Sequence, residues 1–461
     1  MRFLFVTLQH QESDFYGRVG RNLERAGHEV VQLTYSRRAA RALRGQGTEA
    51  HCLPDLMRDV RSPRPWHDEE PRIVARFPID GLRDVYWTDP PFRRGDAADR
   101  CAERTVAQFL AIEALVERVR PDIVVPEVGS ESIRTIAHLV GTESGATTFF
   151  LMYTMFDDPL RLYAGTMDGP IVSPDEVRAL SDAEEGELDD FVGRYRERDR
   201  PIREYRTVPL GGDRPRAAAR HYAVKAIWDR DNVYLTPSAW LYRDLRARAR
   251  LPVVRRLYAE SPPERRFVYF PLQVADDYKI LRLRPQCADQ EAIVERVIRA
   301  LPPGVDLVVK EHPMSLGRNS VRALRRMASP SNVHLAEPYT STLELIERAS
   351  AVVTISSTVG LEAVMLEKPV LTLGRPFYAG YGVTLDVDWP RWDPDQVTRL
   401  LDFRPEPMRV RRFLGAAKRR CYPGAPVLVD SSDANAMRLA GTLDRAARGE
   451  LDVSRPPSHG G

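Results

Sequence analysis

Apolar positions along this chain fall into two series of short runs, and most runs lead into a stretch of helical period. Arg2 to Leu8 is an apolar run of strand length. From Asp14 to Ala26 the residues Phe15, Val19 and Leu23 recur about four apart. Gly27 stops the helix this implies, and His28 to Tyr35 returns to strand. Ala102 to Arg120 is an amphipathic helix, Asp122 to Pro126 a buried strand, Ser132 to Val140 a helix and Ala146 to Met152 a strand. Between these, residues 45 to 100 are rich in Arg, Asp and Pro with little periodicity, and read as an irregular insertion with short helices.

Residues 153 to 230 are highly charged, with an acidic run over 184–190 and an Arg-rich stretch after it. They read as solvated faces on a helical bridge between domains. The chain passes into a second domain near Arg220 to Asn232, with Asn232 to Leu235 expected as strand and a basic helix after it through Arg250. The second series then runs strand Phe267–Gln273, helix Gln290–Leu301, strand Asp306–Lys310, helix Arg318–Met327, strand Val333–Leu335 and helix Ser341–Ala349. It continues with strand Ala351–Ile355, helix Val359–Leu366 and strand Pro369–Leu373. Alternation of this kind predicts parallel sheets covered on both faces. Helices follow at Val397–Phe403, Pro407–Arg419 and Asp433–Arg448. The last is expected to cross back toward the first domain, with a disordered tail from Ser454. The expected domains are therefore 1–230, an α/β domain with the insertion 45–100; 231–430, a second α/β domain; and 431–461, the returning helix and tail.

Composition narrows the function classes. The chain has 461 residues, 43% apolar and 29% charged, enough to bury a sizeable core in two or three domains. Its net charge of +3 balances 68 basic against 65 acidic residues and gives no drive toward nucleic acid. Cys52, Cys101, Cys287 and Cys421 are too scattered for a zinc site or a disulfide framework. No segment approaches the ~18 consecutive apolar residues of a spanning helix. The opening MRFLFVTLQH reads as a strand and not as a signal peptide. Cytoplasmic placement is expected, with peripheral association at the inner face of the cell membrane left open.

Candidate chemistry concentrates between Val308 and Thr384. Lys310-Glu311-His312-Pro313 ends a strand, and Pro313 stiffens the turn, which sets Lys310 and His312 at the rim of the sheet. A lysine can meet a phosphate as a point charge, and a histidine can donate to a phosphate oxygen or protonate a leaving phosphate. A second run, Thr354-Ile355-Ser356-Ser357-Thr358-Val359-Gly360-Leu361-Glu362, carries hydroxyls and exposed amides into a helix start, where an anion is favoured. Gly360 keeps the first turn close to a neighbour, and Glu362 can accept from ribose hydroxyls. No GxxxxGK[ST] occurs, and no GxGxxG follows the first strand, which argues against Walker-type and nicotinamide sites. In the first domain Glu127 stands at the carboxyl end of a strand, where a doubly wound domain places reactive groups, so it is a candidate base or nucleophile. An alternative reading has Glu127 as a plain cap or ion-pair partner near a helix start. Glu131 is second to it, and His10, Gln273 and Asp276 are further candidate acceptor-side contacts.

The KEHP and SSTVGLEA segments, with EKPV, GRPFYAGYGVT and YFPLQVADD, resemble the bacterial capsule polysaccharide biosynthesis proteins. These include the 3-deoxy-manno-octulosonic acid (Kdo) transferases of capsule and lipopolysaccharide assembly. The resemblance spans roughly Tyr269 to Thr384. Over residues 1 to 230, RAGHEV resembles the first unit of many GT-B glycosyltransferases, and PEVGSE is similar to the acceptor-domain motif, with Val128 standing where an Asn is usual. The resemblance implies a GT-B-like α/β fold, two doubly wound Rossmann-like domains facing across a cleft. It further implies a CMP-activated acidic sugar such as Kdo as donor, and a capsule or other surface glycan or glycolipid as acceptor. His312, Ser356 and Ser357 then hold the nucleotide phosphate, joined by Lys310, Thr358, Gly360 and Glu362. Glu127 and His312 are the catalytic candidates, and neither a metal nor a cofactor is called for. A sugar-nucleotide epimerase of the same fold and a non-catalytic glycan- or nucleotide-binding component remain alternatives.

Overall fold

Strand β1 (Arg2–Thr7) is buried from Phe3 onward, because it lies inside a sheet covered on both faces. The first sheet also contains β2 (Glu29–Thr34), β3 (Glu49–Cys52), β4 (Ile123–Val125), β5 (Thr147–Tyr153), β6 (Leu160–Ala164) and the late strand Cys421–Tyr422. Their spatial order is Cys421–Tyr422, β6, β5, β4, β1, β2, β3. The pairings from β5 to β3 are parallel, and β6 and Cys421–Tyr422 add antiparallel at the far edge. The second sheet holds β7 (Phe267–Pro271), β8 (Asp306–Lys310), β9 (Val333–Ala336), β10 (Ala351–Thr354), β11 (Val370–Thr372) and β12 (Leu385–Asp386). It is wholly parallel in the order β12, β11, β10, β7, β8, β9. In each sheet the winding reverses beside its first strand, between β1 and β4 and between β7 and β10. Crevices open outside the carboxyl ends of the strands at such reversals, and ligands bind there.

This computed structural model describes residues 1–60, 64–197, 223, 227 and 229–454. The chain forms two α/β units: Met1–Gly169 with Arg216–Trp240 and Arg420–Gly461, and Pro170–Pro215 with Leu241–Arg419. That division differs from the expected ranges 1–230, 231–430 and 431–461. The helix Asp433–Ala447 packs within the first unit on the helix His10–Arg25, where Arg18 meets Asp433 at 2.6 Å and His28 meets Asp444 at 2.7 Å. Pro170–Pro215 belongs to the second unit. There the helix Asp182–Arg196 docks on the helix Pro407–Arg419 through Arg411–Asp189, Lys418–Glu187 and Arg419–Glu184, and Leu180 fits the space above Gly415. The acidic run over 184–190 is therefore half of an ion-paired contact and not simply a solvated face. The Arg-rich part of the expected bridge and the tail beyond Ser454 lie outside the described residues.

Three other expectations change. The insertion 45–100 contributes a strand, β3, as well as helices, because Glu49–Cys52 finds a free edge on β2. Asn232–Leu235 is not a strand: Val233–Leu235 is a 3₁₀ turn, and the Asn232 side chain donates to the Leu8 carbonyl at 2.8 Å. The basic helix runs on to Arg255, through Pro252. No described helix is long and apolar enough to cross a membrane.

Candidate functional site

The first unit's reversal point is occupied by a buried charge cluster. Glu127 follows β4 and is 3% exposed. Its φ of 60° puts a non-glycine residue in the left-handed region, a strain of about 1–3 kcal/mol that neighbouring structure has to hold. Neither carboxylate oxygen reaches a donor at hydrogen-bond geometry, although the Val128 N–H lies near. Burial pushes the Glu127 carboxyl up to about 8; Arg134 opposes the rise and Glu12 adds to it. Arg134 is the hub of this cluster. Its guanidinium donates to Glu12 at 2.9 Å, Glu131 at 3.0 Å and the Pro126 carbonyl at 2.9 Å. Glu12 also takes the Leu8 N–H at 2.8 Å, so the loop after β1 and the loop after β4 are tied together at the reversal. Burial works against the Arg134 charge, but Glu12, Glu131 and Glu127 outweigh it and hold its pKa above the ordinary value. A Cβ at Gly129 would overlap both the Glu131 carboxylate and Arg134, which is why glycine stands there.

The expected site residues of this unit thus part company. Glu131 is bound to Arg134, whereas Glu127 has a carboxyl with no bonded donor. His10 begins the first helix, half-buried, with its Nδ1 buried and unpartnered. Burial lowers its pKa, Arg38 lowers it further, and Asp14 and Asp229 oppose.

In the second unit, the reversal lies between β7 and β10, and Gln273 and Ser356 bridge it. The Ser356 N–H donates to Gln273 Oε1 at 3.1 Å, and Gln273 Nε2 donates to Ser356 Oγ at 3.3 Å. Gln290 fixes the Gln273 backbone on both its N–H and its carbonyl, at 2.8 and 3.0 Å. Gln273 and Asp276, expected on the acceptor side, therefore stand in the same unit as the expected donor loop. Ser357 caps the helix Thr358–Met365 by accepting the Val359 N–H at 3.2 Å. Ser356, Ser357 and Thr358 are half-buried at its start, where the helix dipole favours an anion. Gly360 has a local reason: a Cβ there would overlap the Tyr378 hydroxyl, which donates to the Ser357 carbonyl at 2.5 Å.

After β8, His312 Nδ1 accepts the Met314 N–H at 3.1 Å. That bond keeps the ring proton on Nε2 and makes Nε2 a donor. Glu311 is buried and takes Asn319 Nδ2 at 2.6 Å and the Tyr258 hydroxyl, which closes the loop on itself. Burial raises the Glu311 carboxyl, with Tyr258 and Asn319 opposing.

Lys310 corrects the expectation of a rim lysine facing a phosphate. It is 7% exposed, and its ammonium donates inward to the Thr340 carbonyl at 2.6 Å and Thr342 Oγ1 at 2.8 Å. Burial pulls its pKa down to about 8, and Glu362 opposes. Glu362 is half-buried, and Tyr195 donates to it at 2.7 Å. Burial raises its carboxyl, while Tyr195 and Lys310 lower it. Lys310 and Glu362 thus attract each other within the unit, and the Lys310 ammonium is spent on Thr340 and Thr342 and not on the rim.

Sequence reading missed Arg134, Glu12, Tyr195 and Tyr378. Only Arg134 left a local signal, its spacing of three from Glu131 on one helix face. Among the described residues, no group of three or more His, Cys, Asp or Glu is arranged to hold a metal ion.

Comparison with known proteins bears out the family resemblance over part of the chain: residues 219–396 match the family model "Capsule polysaccharide biosynthesis protein". The capsule polysaccharide modification protein LipA of Neisseria meningitidis serogroup B is 34% identical over 84 residues, 18% of this chain and 12% of LipA. Protein FixF of Sinorhizobium fredii is 35% identical over 117 residues, 24% of this chain and 27% of FixF. The match therefore spans only a minor part of either relative. Among solved structures, the Thermosulfurimonas dismutans KpsC beta Kdo 2,4 transferase aligns with 70% of this chain and 87% of its own, at 20% identity and a TM-score of 0.36.

Proposed function

We propose that the protein is a glycosyltransferase of surface-polysaccharide assembly. It transfers an acidic sugar, such as Kdo, from a CMP-linked donor to a glycan or glycolipid acceptor, without a metal. The observation that carries this reading is the content of the two reversal crevices. Hydroxyls and a helix start stand at the second unit's reversal, and a histidine with an Nε2 donor follows the neighbouring strand β8; at the first unit's reversal stands a buried carboxyl with no bonded donor. The family match over residues 219–396 supports the capsule context.

His312 Nε2–H donates to a phosphate oxygen and offsets charge as CMP departs. Ser356, Ser357 and the amides at the start of the helix Thr358–Met365 bind the same phosphate. Glu127 takes the proton of the acceptor hydroxyl, or attacks as nucleophile. A carboxyl with a pKa near 8 is proton-hungry once ionised, as a general base at neutral pH needs to be.

The test is calorimetric titration with CMP, UDP, GDP and their sugars, repeated on His312→Ala. CMP should bind, and the variant should bind it about tenfold or more weakly, the worth of one charge-assisted hydrogen bond. Binding of UDP-sugars without CMP would refute the donor, and unchanged CMP affinity would remove His312. Product analysis completes the test: lengthened acceptor supports transfer, isomerised sugar nucleotide means an epimerase, and binding without turnover means a non-catalytic component.

A further inference from the structure

The inward turn of Lys310 leaves the loop after β8 in want of a cation, and the same loop supplies one six residues beyond His312. The loop is closed by three bonds: His312 carbonyl to the Ser315 N–H at 2.8 Å, Ser315 carbonyl to the Arg318 N–H at 2.8 Å, and Glu311 to the Asn319 side chain. It is also clamped from outside. Gly317, at φ 72°, lies so close to the Ala247 backbone that any Cβ would overlap it. Arg250 donates to the Arg318 and Asn319 carbonyls, each at 3.2 Å. The backbone of Arg318 is thus held on both sides.

Its side chain is not. The Arg318 guanidinium is half-buried, yet it makes no hydrogen bond and no ion pair with any described residue. Its charged surroundings are mixed: Arg243 repels it, and Asp276, in the loop after β7, and Asp244 attract it from beyond ion-pair distance. Burial and Arg243 lower its pKa, as an unanswered cation requires. A partly desolvated guanidinium with no partner is a poor structural element and a good receiver of an oxyanion, since its fork matches phosphate and carboxylate.

We propose that Arg318 is the cation that receives an oxyanion of the donor, phosphate or sugar carboxylate, in the loop that carries His312. The proposal rests on the nucleotide-sugar reading above. Arg318 then acts in binding the donor's anionic group, the part that Lys310 does not take.

Titrate wild type, Arg318→Gln and Arg318→Lys with cytidine, CMP and the CMP-linked acidic sugar, and record the unfolding midpoint of each. If phosphate is the partner, Arg318→Gln weakens CMP about tenfold or more, with cytidine unchanged. If the carboxylate is the partner, CMP is unchanged and the CMP-sugar weakens by a similar factor. In either case Arg318→Lys recovers part of the loss, and the unfolding midpoint stays at the wild-type value, because the guanidinium bonds no described residue. Equal binding of CMP and CMP-sugar by wild type and Arg318→Gln overturns the proposal. If wild type binds a different sugar nucleotide, the donor reading fails, and Arg318 is judged by the same comparison with that ligand. If wild type binds no nucleotide phosphate and no sugar acid, both fall.

Discussion

Replacing Glu127 by glutamine removes a titration while changing almost no volume. In the folded protein the Glu127 carboxyl titrates at about 8, against 4.5 for an ordinary glutamate. Between those values the unfolded chain has lost the proton and the native state keeps it. Wild-type stability therefore falls as pH rises, by about 1.4 kcal/mol per unit, and levels off above about 8. Across the whole window the loss is roughly 5 kcal/mol. Glu127→Gln has no such slope. Its stability relative to wild type should grow from near its acid-side value at pH 4.5, by roughly 3 kcal/mol at pH 7 and roughly 5 at pH 9. Urea unfolding of the full chain at these three pH values reads the difference directly. A difference constant across pH would refute the buried titration. Activity should move the other way: a base works only when ionised, so wild-type kcat/KM should climb about tenfold per pH unit up to about 8, and the variant should lose about 100-fold or more. Unchanged turnover in Glu127→Gln ends its catalytic candidacy whatever the stability result.

Two further outcomes follow from the second unit. Lys310→Met removes the cation opposite Glu362 and the donor to Thr340, and should lower stability by about 2–4 kcal/mol in urea unfolding. CMP affinity should stay within about twofold of wild type, because the ammonium faces inward; a large loss of CMP binding would return Lys310 to the ligand. Gly360→Ala forces the new methyl into the Tyr378 hydroxyl, costs about 1–3 kcal/mol, and should weaken nucleotide binding by shifting the Ser357 helix start; wild-type affinity and stability together would show that the turn yields freely.

Much of this molecule is local and so was open to reading in one dimension. The alternation of apolar runs with helical period, the proline after His312, the Ser357 cap and the glycine stop at Gly27 each act within a few residues. Such features follow from backbone sterics and hydrogen bonding wherever the segment lies. For that reason the KEHP and SSTVGLEA loops, and the strands that deliver them, appear where the pattern puts them.

Tertiary structure decided the rest. Strand order is a matter of long-range pairing, and it alone brings Glu12 beside Arg134 and Gln273 beside Ser356. Whether a charge at a strand end faces solvent or interior depends on what packs over it. Hence Lys310 turns toward Thr340 and Thr342, while Glu127, itself the strained residue just past β4, is buried with no bonded donor. The acidic run over 184–190 reads as surface until Arg411, Lys418 and Arg419, more than two hundred residues away, arrive to pair with it. Arg318 is one arginine among many in the chain; only the closed, clamped loop and the lack of a partner among the described residues single it out. The residue types and their spacing determined which chemistry the chain can hold. Packing within each unit decided which of those groups stay available for it, because burial and charge pairing are set by neighbours distant in sequence.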